Sequence, residues 1–222
     1  SLSPAGMAGP APGNVVRFAI IGDVTVNPIT FPQQLPTTQV IKILFNTLTK
    51  YNPGDLKVVP DLATLWTPAE NGRIWVFKLR RGVKWHDGAP FNANDVKFTF
   101  EQIVNPNNRA LYRTTFAGLQ RVTAVDDHTV RFEFERPYPS LPIVVGFNIP
   151  IVPRHLLEGK NVNEMPEFIQ RPIGTGPYKF RERKPDQYVV LTRFDGYVSR
   201  SEPANGYAGK KEAKIAELRF IP

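Results

Sequence analysis

Arg73 to Val104 reads RIWVFKLRRGVKWHDGAPFNANDVKFTFEQIV, and three kinds of local structure follow one another within it. Just ahead stand Asn71 and Gly72, the dipeptide best suited to the positive φ angles of a tight hairpin turn. Trp75, Phe77 and Leu79 then alternate with Val76, Lys78 and Arg80, which predicts a strand. Val83–Pro90, VKWHDGAP, next puts His86 beside Asp87 in a chain with 3 histidines. Neighbours on an extended strand point to opposite faces, so the two could not share a site if the strand ran on. Asp87-Gly88 followed by Ala89-Pro90 is turn chemistry, and we read a turn rather than the acid–base pair of a hydrolase. In FNANDVKFTFEQIV, Asn92 can cap a helix and Asp95 takes its third position, a carboxylate at the positive end of the helix dipole. Phe91 and Val96 occupy the hydrophobic staple positions. Val96, Phe100, Ile103 and Val104 share a face suited to a sheet, and Asn105-Pro106 ends the helix.

Toward the N-terminus, Val15–Ile21 is a β-branched apolar run that predicts a buried strand, ending in a loop at Gly22-Asp23 and a turn at Asn27-Pro28. From Thr38 a helix is predicted with Ile41, Leu44, Phe45 and Leu48 on one face, stopped by Tyr51-Asn52-Pro53-Gly54. Val58–Trp66 reads as one extended segment. Beyond the central stretch, a hairpin spans Val122–Phe134, turning at Asp126-Asp127-His128 with Val130, Phe132 and Phe134 on one face. Proline-punctuated connections lead to a short helix at Arg154–Leu157. A further hairpin pairs Tyr178–Phe180 with Tyr188–Arg193 across Lys184–Gln187, and IAELRFIP closes as a lone strand, apolar to its end, as if the fold continued. Hairpins mixed with helices give an α+β or α/β class with a mixed sheet, and Trp66, Trp75 and Trp85 fall in strand patterns that make them core.

At 222 residues and 41% hydrophobic content the chain can bury a substantial core, as one large domain or two small ones. The absence of cysteine excludes disulfides, thiolate metal sites and a cysteine nucleophile. The histidines lack metal-ligand spacing, and no G-x-S-x-G elbow is present. GTGPY, Gly174–Tyr178, lacks the Lys-[Ser/Thr] of a phosphate loop and precedes a strand. A net charge of +8 raises a nucleic-acid partner, but the basic residues are scattered, and the densest group, Arg181, Arg183 and Lys184, is diluted by Glu182 and Asp186. We read a basic solvated surface. SLSPAGMAGPAPGN, residues 1–14, reads as a flexible arm of small residues.

Taken together, the segments resemble the extracytoplasmic solute-binding proteins of family 5, the dipeptide- and oligopeptide-binding components of ABC importers. Val58–Pro106 carries the family's hairpin, its Trp-His-Asp-Gly turn and the capped helix; Ile173–Tyr197, IGTGPYKFRERKPDQYVVLTRFDGY, resembles the return to its first lobe; Asn27–Pro53 fits its opening loop and helix. The resemblance implies a periplasmic-binding-protein-like type II lobe, incomplete here: residues 15–56 begin lobe I, 57–172 form a hairpin-rich subdomain, and 173–222 return to lobe I and begin the crossing to an absent lobe II. Family members are longer, so the chain is expected to be an N-terminal portion that binds ligand weakly or not at all by itself. The implied function is capture of di- or oligopeptides outside the cytoplasmic membrane and delivery to an ABC permease, by a monomer, without catalysis, metal, cofactor or nucleic acid. The implied location is the periplasm or the outer face of that membrane, with lipid anchoring left open. Nickel chelates, haem and oligosaccharides are alternative ligands in the same family. Site residues carried over are Val24, Thr25, Val26 and Asn27, whose backbone faces the family's cleft, with Tyr112 and its neighbour Arg109 after the capped helix. Gly174, Thr175, Gly176 and Tyr178 are expected to form a tight connection near the hinge.

Overall fold

The computed structural model describes residues 14–30, 35–52, 54–55, 57–147, 149–205 and 208–222; the arm of residues 1–14 lies outside them except for Asn14. The path runs β1 (Val15–Ala19), α1 (Leu35–Leu44), β2 (Thr49–Tyr51), β3 (Val58–Pro60), β4 (Ala63–Ala69), β5 (Ile74–Leu79), α2 (Ala93–Val104), β6 (Leu119–Asp126) and β7 (Thr129–Phe134). It continues through α3 (Leu141–Val144), α4 (Arg154–Leu157), α5 (Pro166–Gln170), β8 (Tyr178–Lys184), β9 (Tyr188–Arg193) and β10 (Glu217–Ile221).

The central stretch folds as its letters require. Asn71 at φ 57° and Gly72 at φ 83° make the turn between β4 and β5. β5 pairs on its other side with β7, giving an antiparallel sheet β4-β5-β7-β6. Helix α2 lies on this sheet: the Phe100 ring stands edge-on to Phe132 at 4.8 Å, and Phe77 to Phe132 at 5.4 Å. The capping box is complete, with Asn94 N–H donating to Asn92 Oδ1 (2.9 Å) and Asn92 N–H to Asp95 Oδ2 (3.0 Å). Asp95 also accepts from Trp85 Nε1 (3.3 Å) and from the Arg154 N–H (3.0 Å), so one carboxylate ties the turn, α2 and α4 together. Burial raises its pKa, and these hydrogen bonds oppose the rise.

The other sheet has the order β1-β10-β9-β8, with β1 parallel to β10 and the remaining pairs antiparallel. Four expectations are corrected here. The last strand is not alone: β10 sits inside the sheet between β1 and β9. The first strand is not buried: β1 is an edge, Phe18 is 41% exposed and Ile21, past its end, is 93% exposed. α1 stops at Leu44, so Phe45 and Leu48 are buried from non-helical backbone, and Thr49–Tyr51 pairs with Val58–Pro60 instead of ending a helix. The Leu44 carbonyl is taken by the Gly176 N–H (2.8 Å), a tertiary partner that no local pattern announces. Val58–Trp66 likewise divides into two strands at Asp61-Leu62.

Two cores result. One, built on Trp75, Phe77, Trp85, Phe100 and Phe132, fills the space between α2 and its sheet. The other gathers Val24, Val26, Val40, Ile41, Leu44 and Phe45 with Leu191, Leu218 and Phe220 of the mixed sheet and Val162, Met165 and Phe168. Phe98 of α2 joins this second core, so the helix contributes to both.

Candidate functional site

The His86-Asp87 pair separates as a turn demands. Gly88 is at φ 93°, its N–H donates to the Trp85 carbonyl (2.9 Å), and Ala89 N–H donates to Asp87 Oδ1 (3.1 Å). The side chains have different partners. Asp87 Oδ2 lies 2.7 Å from His155 Nε2 at a half-exposed position. His86 is buried against Gly174-Thr175-Gly176: its N–H donates to the Gly174 carbonyl (2.9 Å), Nδ1 accepts from the Gly174 N–H (3.1 Å), and Nε2 stands 3.0 Å from the Gly176 carbonyl. This pattern fits the neutral ring with its proton on Nε2. Burial lowers the His86 pKa to about 4, against the smaller raising effect of the Gly176 carbonyl.

The glycine loop lies so close to α1 that a Cβ on Gly174 or Gly176 would come within 1.9 or 2.1 Å of the Leu44 and Ile43 carbonyl oxygens, respectively. Thr175 between them donates to Asn46 Oδ1 (3.1 Å), and Asn46 Nδ2 donates to Asp61 Oδ1 (2.8 Å). Asp61 Oδ2 accepts from the Thr47 N–H (3.2 Å) and stands 3.6 Å from Lys50 Nζ. Burial pulls the Lys50 pKa down to about 8, the Asp61 charge only partly resisting. A buried polar network thus braces the place where the chain passes between the two cores.

The two carried-over segments come together at another place. Leu111 N–H donates to the Ile29 carbonyl (3.1 Å), and Asn163 bridges to the second segment by accepting from the Arg109 N–H (2.8 Å) and donating to the Asn107 carbonyl (3.3 Å). Asn27 closes the ring: Oδ1 accepts from the Ile29 and Thr30 N–H groups (3.1 Å each), and Nδ2 donates to the Val162 carbonyl (3.3 Å). Val24, Val26 and Asn27 are buried and Thr25 is partly exposed, so the loop's side chains serve mostly as anchors. The Arg109 side chain is exposed, and Tyr112 is half-buried against the core of the antiparallel sheet. Sequence reasoning missed Asn163, Asp23 and Arg183. Asp23 accepts from the Val24 N–H (2.8 Å) and pairs with Arg183 of β8; burial would raise its pKa, but these partners hold it below the usual value. Nothing local marks the Asn163 side chain, because its partners lie more than fifty residues away.

A cavity of about 640 Å³ opens beside α1, lined by Phe18, Ile41, Phe45, Leu218 and Phe220 with Lys50 at its wall. Four of these apolar residues belong to the second core itself, so the cavity is an uncovered flank of that core. Among the described residues no cluster of histidine and carboxylate groups could hold a metal ion, and no helix is long and apolar enough to cross a membrane.

A mixed sheet and a separate antiparallel sheet, braced by buried polar groups, is an arrangement that the solute-binding proteins share. Residues 57–222 match the bacterial extracellular solute-binding proteins, family 5 Middle, and the chain belongs to that family. It is 32% identical over 175 residues to the dipeptide-binding protein of Escherichia coli, covering 69% of this chain and 32% of that one. It is 31% identical to di/tripeptide-binding protein 1 of Pseudomonas aeruginosa, covering 80% and 35% respectively. Among solved structures, NikZ of Campylobacter jejuni in complex with Ni(L-His) superposes with TM-score 0.79 at 30% identity, over 95% of this chain and 39% of that one. The oligopeptide-binding protein AppA of Bacillus subtilis, in complex with a nonapeptide, gives 0.80 at 25%, over 93% and 39%. The chain therefore spans about a third of the length of these curated relatives.

Proposed function

We propose that this chain supplies one lobe of the substrate-binding component of an ABC importer, and that the solute is a di- or oligopeptide captured outside the cytoplasmic membrane and passed to a permease. The observation that carries this reading is the meeting of the loop after β1 with the Arg109–Tyr112 segment, through the Leu111–Ile29 bond and through Val162-Asn163, where Asn27 holds the Val162 carbonyl and Asn163 holds the Arg109 N–H, on a fold shared with peptide-binding relatives. The loop would offer backbone groups to an extended peptide, as strand addition does, while Arg109 and Tyr112 border the same rim. A second lobe would close on the ligand about the braced junction, and the closed form would dock on the permease. The division at residues 56 and 172 would then separate the permanent frame of the lobe from its hairpin-rich part.

The test is calorimetric titration, with di-, tri- and longer peptides, of the polypeptide as its host makes it. Saturable binding that weakens when Thr25, Arg109 or Tyr112 is replaced supports the proposal. The likeness to NikZ favours a second reading, a nickel–amino acid chelate; it requires binding of Ni with histidine and none of peptides. Binding of neither removes both.

A further inference from the structure

The mixed sheet has a second face, turned away from α1, that neither the site nor the cavity uses. Strand alternation and register place Arg17 of β1, Glu217 and Arg219 of β10, Val190 and Thr192 of β9, and Lys179 and Glu182 of β8 on it. The irregularity between Phe180 and Glu182 brings Arg181 onto the same face, where it pairs with Glu217 (2.9 Å). Glu217 pairs with Arg219 as well and is completely buried beneath the two guanidinium groups, which are themselves 39% and 37% exposed. The carboxylate thus pins two arginines flat on the sheet while their outer edges stay in water. Arg17 stands next to Arg219 in register, is exposed, and has no ion-pair partner among the described residues; Lys179 is exposed too. Among the described residues of this face only Glu182 opposes the group from the surface.

We propose that this face docks on an anionic lipid surface. The cations on this face come from three of the four strands. The large exposed apolar side chain that this face carries among the described residues, Ile221, stands at the end of β10 beyond Arg219, so none lies at the centre of the cations to serve as the anchor a protein partner needs. A fluid array of lipid phosphates needs no such anchor, because it rearranges to match an unpatterned set of fixed guanidinium groups, each worth a similar increment of attraction. Docking here would leave the loop rim on the opposite side of the sheet free.

The experiment is co-sedimentation of the polypeptide, as its host makes it, with vesicles of phosphatidylcholine alone or containing about one-third phosphatidylglycerol. The expected result is retention on the anionic vesicles alone, lost at about 0.5 M salt. The double variant Arg17→Glu/Lys179→Glu, which disturbs no ion pair within the described residues, should partition about thirtyfold more weakly or worse. Arg121→Glu/Arg136→Glu makes the same change in net charge at exposed positions outside this face and should bind as the parent does. Equal losses in both variants would show attraction by net charge, and no retention on anionic vesicles would leave an acidic protein as the partner; either result overturns the proposal. Peptide titration of the same variants reads the proposed function separately.

Discussion

His86 shows how a residue that looks catalytic becomes structural. Its ring is neutral because it is buried between two backbone groups of the glycine loop, and protonation would set an N–H against the Gly174 N–H. The folded pKa of about 4 lies below the value near 6.5 in an unfolded chain, so the unfolded state binds more protons between these values. The stabilisation is complete above pH 6.5 and disappears as pH falls toward 4, a change on the order of 3 kcal/mol. Urea unfolding of the parent should lose stability across that window, and His86→Asn should be weaker throughout but flatter there. Asp95 was legible as a cap from the spacing of Asn92 and Asp95, yet its bonds to Trp85 and Arg154 were not. Asp95→Ala should therefore cost more than a cap alone, roughly 2–4 kcal/mol against about 1 for Asn92→Ala, read as a shift in denaturant midpoint.

At the scale of elements, strands and turns with period-two or Asn-Gly signals came out where the sequence placed them, β5 behind its turn and β7 with Val130, Phe132 and Phe134 buried, and so did the short helix α4 at Arg154–Leu157. The end of α1 did not. Its apolar spacing runs on to Leu48, but the helix stops where Gly174 and Gly176 press on the Leu44 and Ile43 carbonyls, an event set by residues far down the chain. The two kinds of glycine should respond differently to alanine. At Gly176 the added methyl has no room, and Gly176→Ala should cost about 3 kcal/mol or more by forcing backbone apart. At Gly88 nothing lies within 4 Å, so Gly88→Ala should cost only the left-handed strain, about 1 kcal/mol. Thermal melting of the two variants side by side makes the comparison.

For the whole molecule, the buried Lys50–Asp61 pair joins the parts of the chain that pass between the cores. Lys50 titrates at about 8 when folded and near 10.4 when unfolded, so the unfolded state again holds more protons between the two, and stability should rise with pH across this interval. Lys50→Met should abolish that rise while lowering stability at neutral pH, because it removes the ammonium group that faces the buried Asp61 carboxylate; denaturant midpoints at pH 8 and pH 10 decide it. The sequence by itself determined the hairpins, the capped helix and its turn, and the family, since each rests on short-range periodicity, backbone preference or an ordered motif. Tertiary structure decided that IAELRFIP becomes an inner strand, that His86 clamps a glycine loop, that Val162-Asn163 links Asn27 to the Arg109 segment, and that Glu217 lies beneath two arginines. Each of these depends on pairing across long separations, where the partner is chosen by packing and register and leaves no mark in the neighbouring letters.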